Sequence, residues 1–578
     1  MTVGTAPRDL RVAGARAAGV RRLAGRLPVA LLALVIAGLT LSPVVAMFYN
    51  SVHPTTPDSG GYTAEALKAV YGSARVWTSL AVTLELSACA AVFGTVVGGT
   101  FAWLIARTDL RAKGIFEIFV LAPLFTSPLV AAIAWFSLAA PQSGYLNRII
   151  GQIVGHQVTT FDITTTYGIV WVLGLHSMPY AYLFIKSALQ NMDPALEEAS
   201  HANGHGPLGT LFRVTLPMTM PAIAASLMFI VVVSAGVFSV PSILGPRMHN
   251  KPLPVLMYQA ITQYIANYPR VAALGTLLFL LSAVLLVGYR RLTRMERRYA
   301  TVTGKGFRPR QIHLGRFRPV ATTLGIVYAI VCVVLPNAAL VLAAVTKYAS
   351  RDLAHMPFTW QNVSDVLHRA TVRSALTNTV IAVVAVVVVV GLLAGLSALL
   401  MRRTSRSLGA ALDYANSAPL AVPGIVLSAG LLLVYLRTPL YATLALLVVA
   451  YVIHSLPNAF RIIRTGSMQI SGELEEASAV NGVGQLGTLR RVTLPLIGPS
   501  LFGALALVAI LTIRDVNEII LLYSPDSQVL SVLTWNYMSD GSVSSAAVIG
   551  VIQSLLILVI LVVARLAFRV NALVGDRR

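Results

Sequence analysis

Four polar residues, Arg514, Asp515, Asn517 and Glu518, interrupt an otherwise apolar run between residues 496 and 523. Two carboxylates and an amide in so short a stretch offer oxygen ligands, and oxygen ligands suit hard cations. An ionisable group at the centre of a bilayer costs on the order of 2.5–3.5 kcal/mol, so these groups must face a cavity or one another. Two uses fit: a polar lining that helps an oxygen-liganded cation across, or an intrahelical pair of Arg514 with Glu518 that pins helix packing. Glu85 is a lone acid in a second apolar run, where packing against a neighbouring hydroxyl is the simpler use and pathway lining the alternative.

Other residue types of chemical interest resolve more quietly. His201 and His205 have the i, i+4 spacing of a metal pair, but Gly204 interrupts the helix between them and no metal is assigned there. His176 and His454 each precede a Ser-x-Pro, where a helix kinks, and their parallel placement favours a structural role over ligation. Cys89 and Cys332 fall inside apolar runs, where thiols behave as small hydrophobes, so neither a disulfide nor a zinc site is expected. No nucleophile gathers with an acid and a base, so no catalytic residue is assigned. The phosphate-binding pattern G-x-x-x-x-G-K-[ST] is absent, Gly304-Lys305-Gly306 being the one Gly-Lys pair.

The elements that position these residues are membrane helices. At 578 residues, 56% hydrophobic and 11% charged, with a mean hydropathy of +0.76, the chain is too apolar for a soluble protein of its length. Twelve runs of about 20 apolar residues, the length that crosses a bilayer, lie near 28–48, 79–106, 115–140, 166–190, 218–245 and 271–290, then 320–346, 375–401, 408–435, 439–464, 496–523 and 545–570. The net charge of +22 gathers in short clusters beside these runs, without the basic face that nucleic acid requires. It reads as topology. Arg8 through Arg26, then Arg107, Arg111 and Lys113, then Arg290 to Arg318, then Arg402, Arg403 and Arg406, and finally Arg569, Arg577 and Arg578, all fall on one side. That side is expected to be the cytoplasm, with both termini there and the first run retained as a span.

The two halves are copies. EEASHANGHGPLGTLFRVTLP (Glu197 to Pro217) returns as EEASAVNGVGQLGTLRRVTLP (Glu475 to Pro495), displaced by 278 positions. From His176 to Pro221 and His454 to Pro499 half the positions are identical without a gap. Six spans per half give both copies the same orientation, and a pathway between the halves is the natural expectation. The expected units are 1–300 and 301–578. The polar stretch is lopsided, because Gly236, Val237, Ser239 and Val240 stand where the second half has Arg514, Asp515, Asn517 and Glu518. Gly94 with Gly98, and Gly391 with Gly395, have the spacing that lets spans approach closely.

The repeated loop is polar, so it lies outside the bilayer or against a protein. Its composition suits a short helix, a glycine turn and a second short helix before Leu-Pro re-enters the membrane. Glu198-Ala199-Ser200, Gly204, Val214 and Leu216-Pro217, matched by Glu476-Ala477-Ser478, Gly482, Val492 and Leu494-Pro495, resemble the EAA loop of binding-protein-dependent ABC importer permeases. The resemblance implies an all-α membrane protein of about twelve helices, built as two tandem six-helix repeats of the type I importer fold. It also implies that the loops 193–217 and 471–495 dock two cytoplasmic ATPase subunits through Glu197, Glu198, Ala199, Ser200 and Gly204, and through Glu475, Glu476, Ala477, Ser478 and Gly482. Those partners would use ATP and Mg while this chain binds no cofactor. An external substrate-binding protein would deliver cargo to this multi-pass bacterial inner-membrane protein, with the lipid bilayer as its other partner.

The fused layout resembles ferric-iron importers, as do FSVPSILGP (Phe238 to Pro246) and IRDVNEIILLYSPDSQVLSVLTWNYMSDG (Ile513 to Gly541). Thiamine permeases share the layout, and polyamine and phosphonate permeases share the loop. A secondary transporter driven by an ion gradient would explain the repeat and the intramembrane acids, but not the paired loops.

Overall fold

The computed structural model describes residues 8–53, 61–156, 158–264, 266–299, 311–347, 358–402 and 404–568. The junction at 300 and 301 lies outside them, as do Lys305, Arg403, Arg569, Arg577 and Arg578. Among the described residues ten single helices are long and apolar enough to cross a membrane, and two bent pairs, each taken as one span, bring the number up to twelve. In order they are Leu27–Val52, Ala74–Arg107, the pair Lys113–Phe125 with Pro128–Ala139, Thr166–Asn191, Leu211–Ala235 and Tyr268–Thr293. The second six are Gly315–Val345, Ala370–Met401, the pair Arg406–Ala421 with Gly424–Tyr435, Leu444–Met468, Leu486–Arg514 and Val543–Leu566.

The bends fall at the same place in each half. The third span turns by 106° and the ninth by 104°, within runs that the sequence shows as single apolar stretches. Each has a proline at its break, Pro128 and Pro423. Proline lacks an N–H and pushes the preceding residue out of the helical region, and Ser127 and Val422 are extended accordingly.

The fifth and eleventh spans also end earlier than expected. The fifth stops at Ala235, with Gly236 as its cap and a six-residue helix, Ser239–Leu244, after the gap. The eleventh stops at Arg514, and residues 515–529 are not helical. Each break leads to a short helix, Leu253–Thr262 or Leu530–Ser539. Both short helices are anchored alike: Leu253 N–H donates to Thr83 Oγ1 at 2.9 Å and Leu530 N–H to Thr379 Oγ1 at 2.9 Å. The first turn of a helix leaves its N–H groups unpaired, and these threonines satisfy one in each half.

The fourth and tenth spans form the centre, with 72% and 67% of their apolar windows buried against 28–50% elsewhere. The halves interlock, because the first span packs on Gly424–Tyr435 of the ninth and the Leu335–Val345 segment of the seventh packs on Pro128–Ala139 of the third. An ion pair links the third and fourth spans, Lys186 with Glu117, and its counterpart Arg464 with Asp413 links the ninth and tenth. The glycine spacing works in one half only. A Cβ on Gly94 or Gly98 would meet Gly174 O at 2.8 Å or Met178 O at 2.7 Å, whereas one on Gly391 meets only a leucine tip at 3.0 Å and one on Gly395 meets nothing.

Candidate functional site

The repeated loops fold as the same device twice. In the first, Asp193 caps the helix Pro194–Ala202 by accepting from Ala195 N–H at 2.9 Å. The helix ends as Gly204 takes φ +82° and His205 N–H reaches back to Ser200 O at 3.2 Å. In the second, Gly472–Val480 ends at Gly482 with φ +75°, and Val483 N–H reaches Ser478 O at 3.1 Å. Such a left-handed turn favours glycine. A second short helix follows, then a π-helical turn, Leu211–Thr215 or Leu489–Thr493, that runs into the membrane.

Hydroxyls staple the two short helices together. Ser200 bonds Thr210 at 3.0 Å, and Ser478 bonds Thr488 at 2.9 Å. The first glutamate of each loop also turns inward. Glu197 is buried, accepts from Thr215 Oγ1 at 2.8 Å and faces Arg107 Nη1 at 3.4 Å. Glu475 accepts from Thr493 at 3.2 Å and pairs with Arg402 at 3.0 Å. The ten loop residues thus divide into an inner and an outer set. Glu197, Ser200 and Ser478 are inside and half-buried Glu475 is braced, whereas Glu198, Ala199, Gly204, Glu476, Ala477 and Gly482 are exposed. A motif of adjacent like residues conceals this split, because successive residues of a helix point about 100° apart, enough to put one inside and its neighbour outside.

The polar stretch is not the intrahelical pair that the sequence offered as one of its two uses. Arg514 closes its helix, and Asp515 to Glu518 lie in the break beyond it, outside any continuous span. Arg514 does not pair with Glu518. Its Nε donates to Asp515 Oδ1 at 3.0 Å and its Nη1 donates to Leu124 O of the third span. Ser127 Oγ donates to Arg514 O at 2.7 Å, and Tyr451 OH to Asp515 O at 2.8 Å, so the break is tied to two neighbouring spans. Asn517 Oδ1 accepts from the N–H groups of Phe238 at 3.0 Å and Ser239 at 3.1 Å, joining it to the break in the other half.

The remaining two acids meet a residue that sequence reasoning set aside. His454 Nε2 stands 3.7 Å from Asp515 Oδ2, and its Nδ1 stands 3.4 Å from Glu518 Oε1. Some sixty residues separate His454 from Asp515, and its repeat mate His176 faces no acid pair among the described residues, so no spacing pattern reveals the meeting. Glu85 is elsewhere. It is exposed on the second span and has no hydrogen-bond or ion-pair partner among the described residues, so it joins neither the cluster nor a neighbouring hydroxyl.

The sequence pattern of binding-protein-dependent transport system inner membrane components matches residues 90–298 and 387–571. The chain belongs to this family. Each matched stretch contains one loop and one broken span, so the permease carries two copies of the family's unit in one chain. It is 25% identical over 570 residues to the ferric transport system permease protein FbpB of Actinobacillus pleuropneumoniae, covering 94% of this chain and 79% of that one. It is 26% identical over 491 residues to the Fe(3+)-transport system permease protein FbpB 2 of Haemophilus influenzae, covering 81% and 85%. The spermidine/putrescine permease PotB of Escherichia coli is 25% identical over 218 residues, covering 37% of this chain and 76% of its own. Among solved structures, a bacterial ABC transporter that imports alginate covers 44% of this chain and 89% of its own at 20% identity, with a TM-score of 0.37. By its family and its membrane helices, the permease is a multi-pass inner-membrane component of a binding-protein-dependent transport system.

Proposed function

We infer that this permease carries ferric iron inward, fed by an external binding protein and driven by two ATP-hydrolysing subunits on the loop side. The observation that carries the iron reading is the length of the resemblance. Three ferric permeases align with 81–94% of this chain, while the polyamine and sulfate permeases align with 37–38%. The fused two-half layout therefore belongs with the ferric relatives.

The ATPase reading rests on the paired loops. Each presents a glutamate, an alanine and a glycine turn on an exposed face, over an inner glutamate fastened to the end of a span. Small side chains allow close approach of a partner, and an exposed carboxylate offers charge-assisted hydrogen bonds. Docking on Glu198, Ala199 and Gly204, and on Glu476, Ala477 and Gly482, puts one motor subunit under each half. The loop side and both termini are then cytoplasmic, and the chain divides near residue 300.

Stoichiometry tests the docking. Co-expressed with its ATPase partner, one permease chain should purify with two ATPase subunits by native mass spectrometry. Glu198→Lys combined with Glu476→Lys should lose both. A permease that purifies alone, or keeps both subunits in the double variant, contradicts the docking surface.

A further inference from the structure

The four polar residues of the eleventh-span break do not share one job. Arg514 is committed to Asp515 Oδ1 and Leu124 O, and Asn517 to the amides of Phe238 and Ser239. That leaves Asp515 Oδ2 and the Glu518 carboxylate, both facing the His454 ring. One ligand atom from each of His454, Asp515 and Glu518 lies within 4.8 Å of the other two. The Glu518 side chain is 4% exposed, yet its Oε2 has no hydrogen-bond partner. Burying a carboxylate oxygen with no partner is unfavourable, and an intramembrane ionisable group so placed points to function.

We propose that His454, Asp515 and Glu518 form a transit site for the transported cation, offering one imidazole nitrogen and two carboxylate oxygens. This rests on the reading of the permease as an iron importer and names the place where the ion pauses. Bond lengths of about 2.0–2.2 Å around one ion put neighbouring ligand atoms about 3–3.5 Å apart, so small side-chain rotations from the observed separations seat it. A mixed nitrogen and oxygen donor set accepts iron.

Two features suit transit rather than storage. Arg514 neutralises part of the Asp515 charge, and an ion must be held weakly enough to leave. His454 is 30% exposed while both acids are almost fully buried, so the imidazole is the accessible side through which an ion enters. Gly424, at the bend of the ninth span, positions the third ligand, because a Cβ there would lie 2.5 Å from Glu518 Oε1. Among the described residues the first half has no such set, so the site is one-sided, beside the join between halves.

The test uses the full permease with its ATPase subunits in nanodiscs, titrated with radiolabelled ferric citrate. Wild type should retain one iron per chain. Glu518→Gln, Asp515→Asn and His454→Gln should each bind at least about tenfold more weakly, while Glu85→Gln binds as wild type. Asp515→Asn also removes the charge that offsets Arg514, so if it fails to fold, Glu518→Gln and His454→Gln decide. Unchanged affinity in those two, or no iron retained by wild type, overturns the site. ATP-driven iron uptake measured in parallel tests the importer reading separately. Wild-type binding without uptake overturns the importer and keeps the site, whereas uptake with unchanged binding in the variants overturns the site and keeps the importer.

Discussion

The backbone N–H of Ser239 donates to Asn517 Oδ1 at 3.1 Å, and the two residues are 278 positions apart, the same offset that separates the two loops. A residue bonded to its own repeat mate lies on the axis that relates the copies. Asn517 therefore fastens the break of one half to the break of the other where a pathway between halves would run. Asn517→Ala leaves two buried N–H groups without an acceptor, each worth about 1–3 kcal/mol. The variant should raise ATP hydrolysis in the absence of cargo, measured on the reconstituted transporter. An unchanged basal rate contradicts a latch at the axis.

Adjacent glutamates in the first loop should respond differently to the same substitution. Arg107 is fully buried and meets Glu197 across 3.4 Å, its nitrogens having no hydrogen-bond partner. Breaking a buried pair by removing one partner costs about 3–5 kcal/mol. Glu197→Gln should lower the melting temperature clearly, while Glu198→Gln leaves it near the wild-type value and weakens ATPase binding. Equal melting temperatures would show that Glu197 is no brace.

Gly204 and Gly482 sit at positive φ with open space where a Cβ would stand. The constraint is conformational, not steric, so side-chain size matters less than tolerance of the left-handed region. An ordinary residue there costs roughly 1–2 kcal/mol, and asparagine less. Gly482→Asn should retain coupled uptake and Gly482→Val should lose it. If both variants uncouple ATP hydrolysis from uptake, the partner itself needs the bare backbone.

A second tie joins the halves outside the membrane. Leu314 N–H donates to Asp109 Oδ1 at 2.9 Å, and with His313 and Arg318 beside it this holds the Asp109 carboxyl well below the usual carboxylate range. A carboxyl lowered by folding stabilises the fold above its unfolded value of about 3.9, and that contribution fades as pH falls toward the folded value. Asp109→Asn should therefore melt earlier than wild type at neutral pH, with the gap closing below about pH 4. A gap that stays constant down to pH 3, about a unit below the unfolded value, contradicts the tie.

The sequence carried the architecture better than its interruptions. Span number, the tandem repeat and the loops were legible because each rests on long apolar runs or on a polar stretch that returns nearly unchanged. The sharp bends at Pro128 and Pro423 were not, although both prolines were visible, since a proline can also kink a continuous helix. Arg514 to Glu518 looked like one intramembrane group because hydropathy does not record where hydrogen bonding stops. The inward turn of Glu197 depends on Arg107 arriving from another span, and the meeting of His454 with Asp515 and Glu518 depends on how the tenth and eleventh spans pack. Contacts of that range leave no local pattern.

Iron uptake by proteoliposomes that hold this permease with its ATPase, supplied outside with the iron-loaded binding protein, tests the whole account most directly. Iron should accumulate only when ATP is enclosed, and a proton or sodium gradient should not replace it. Uptake in ATP-free vesicles driven by either gradient would contradict an ATP-driven importer.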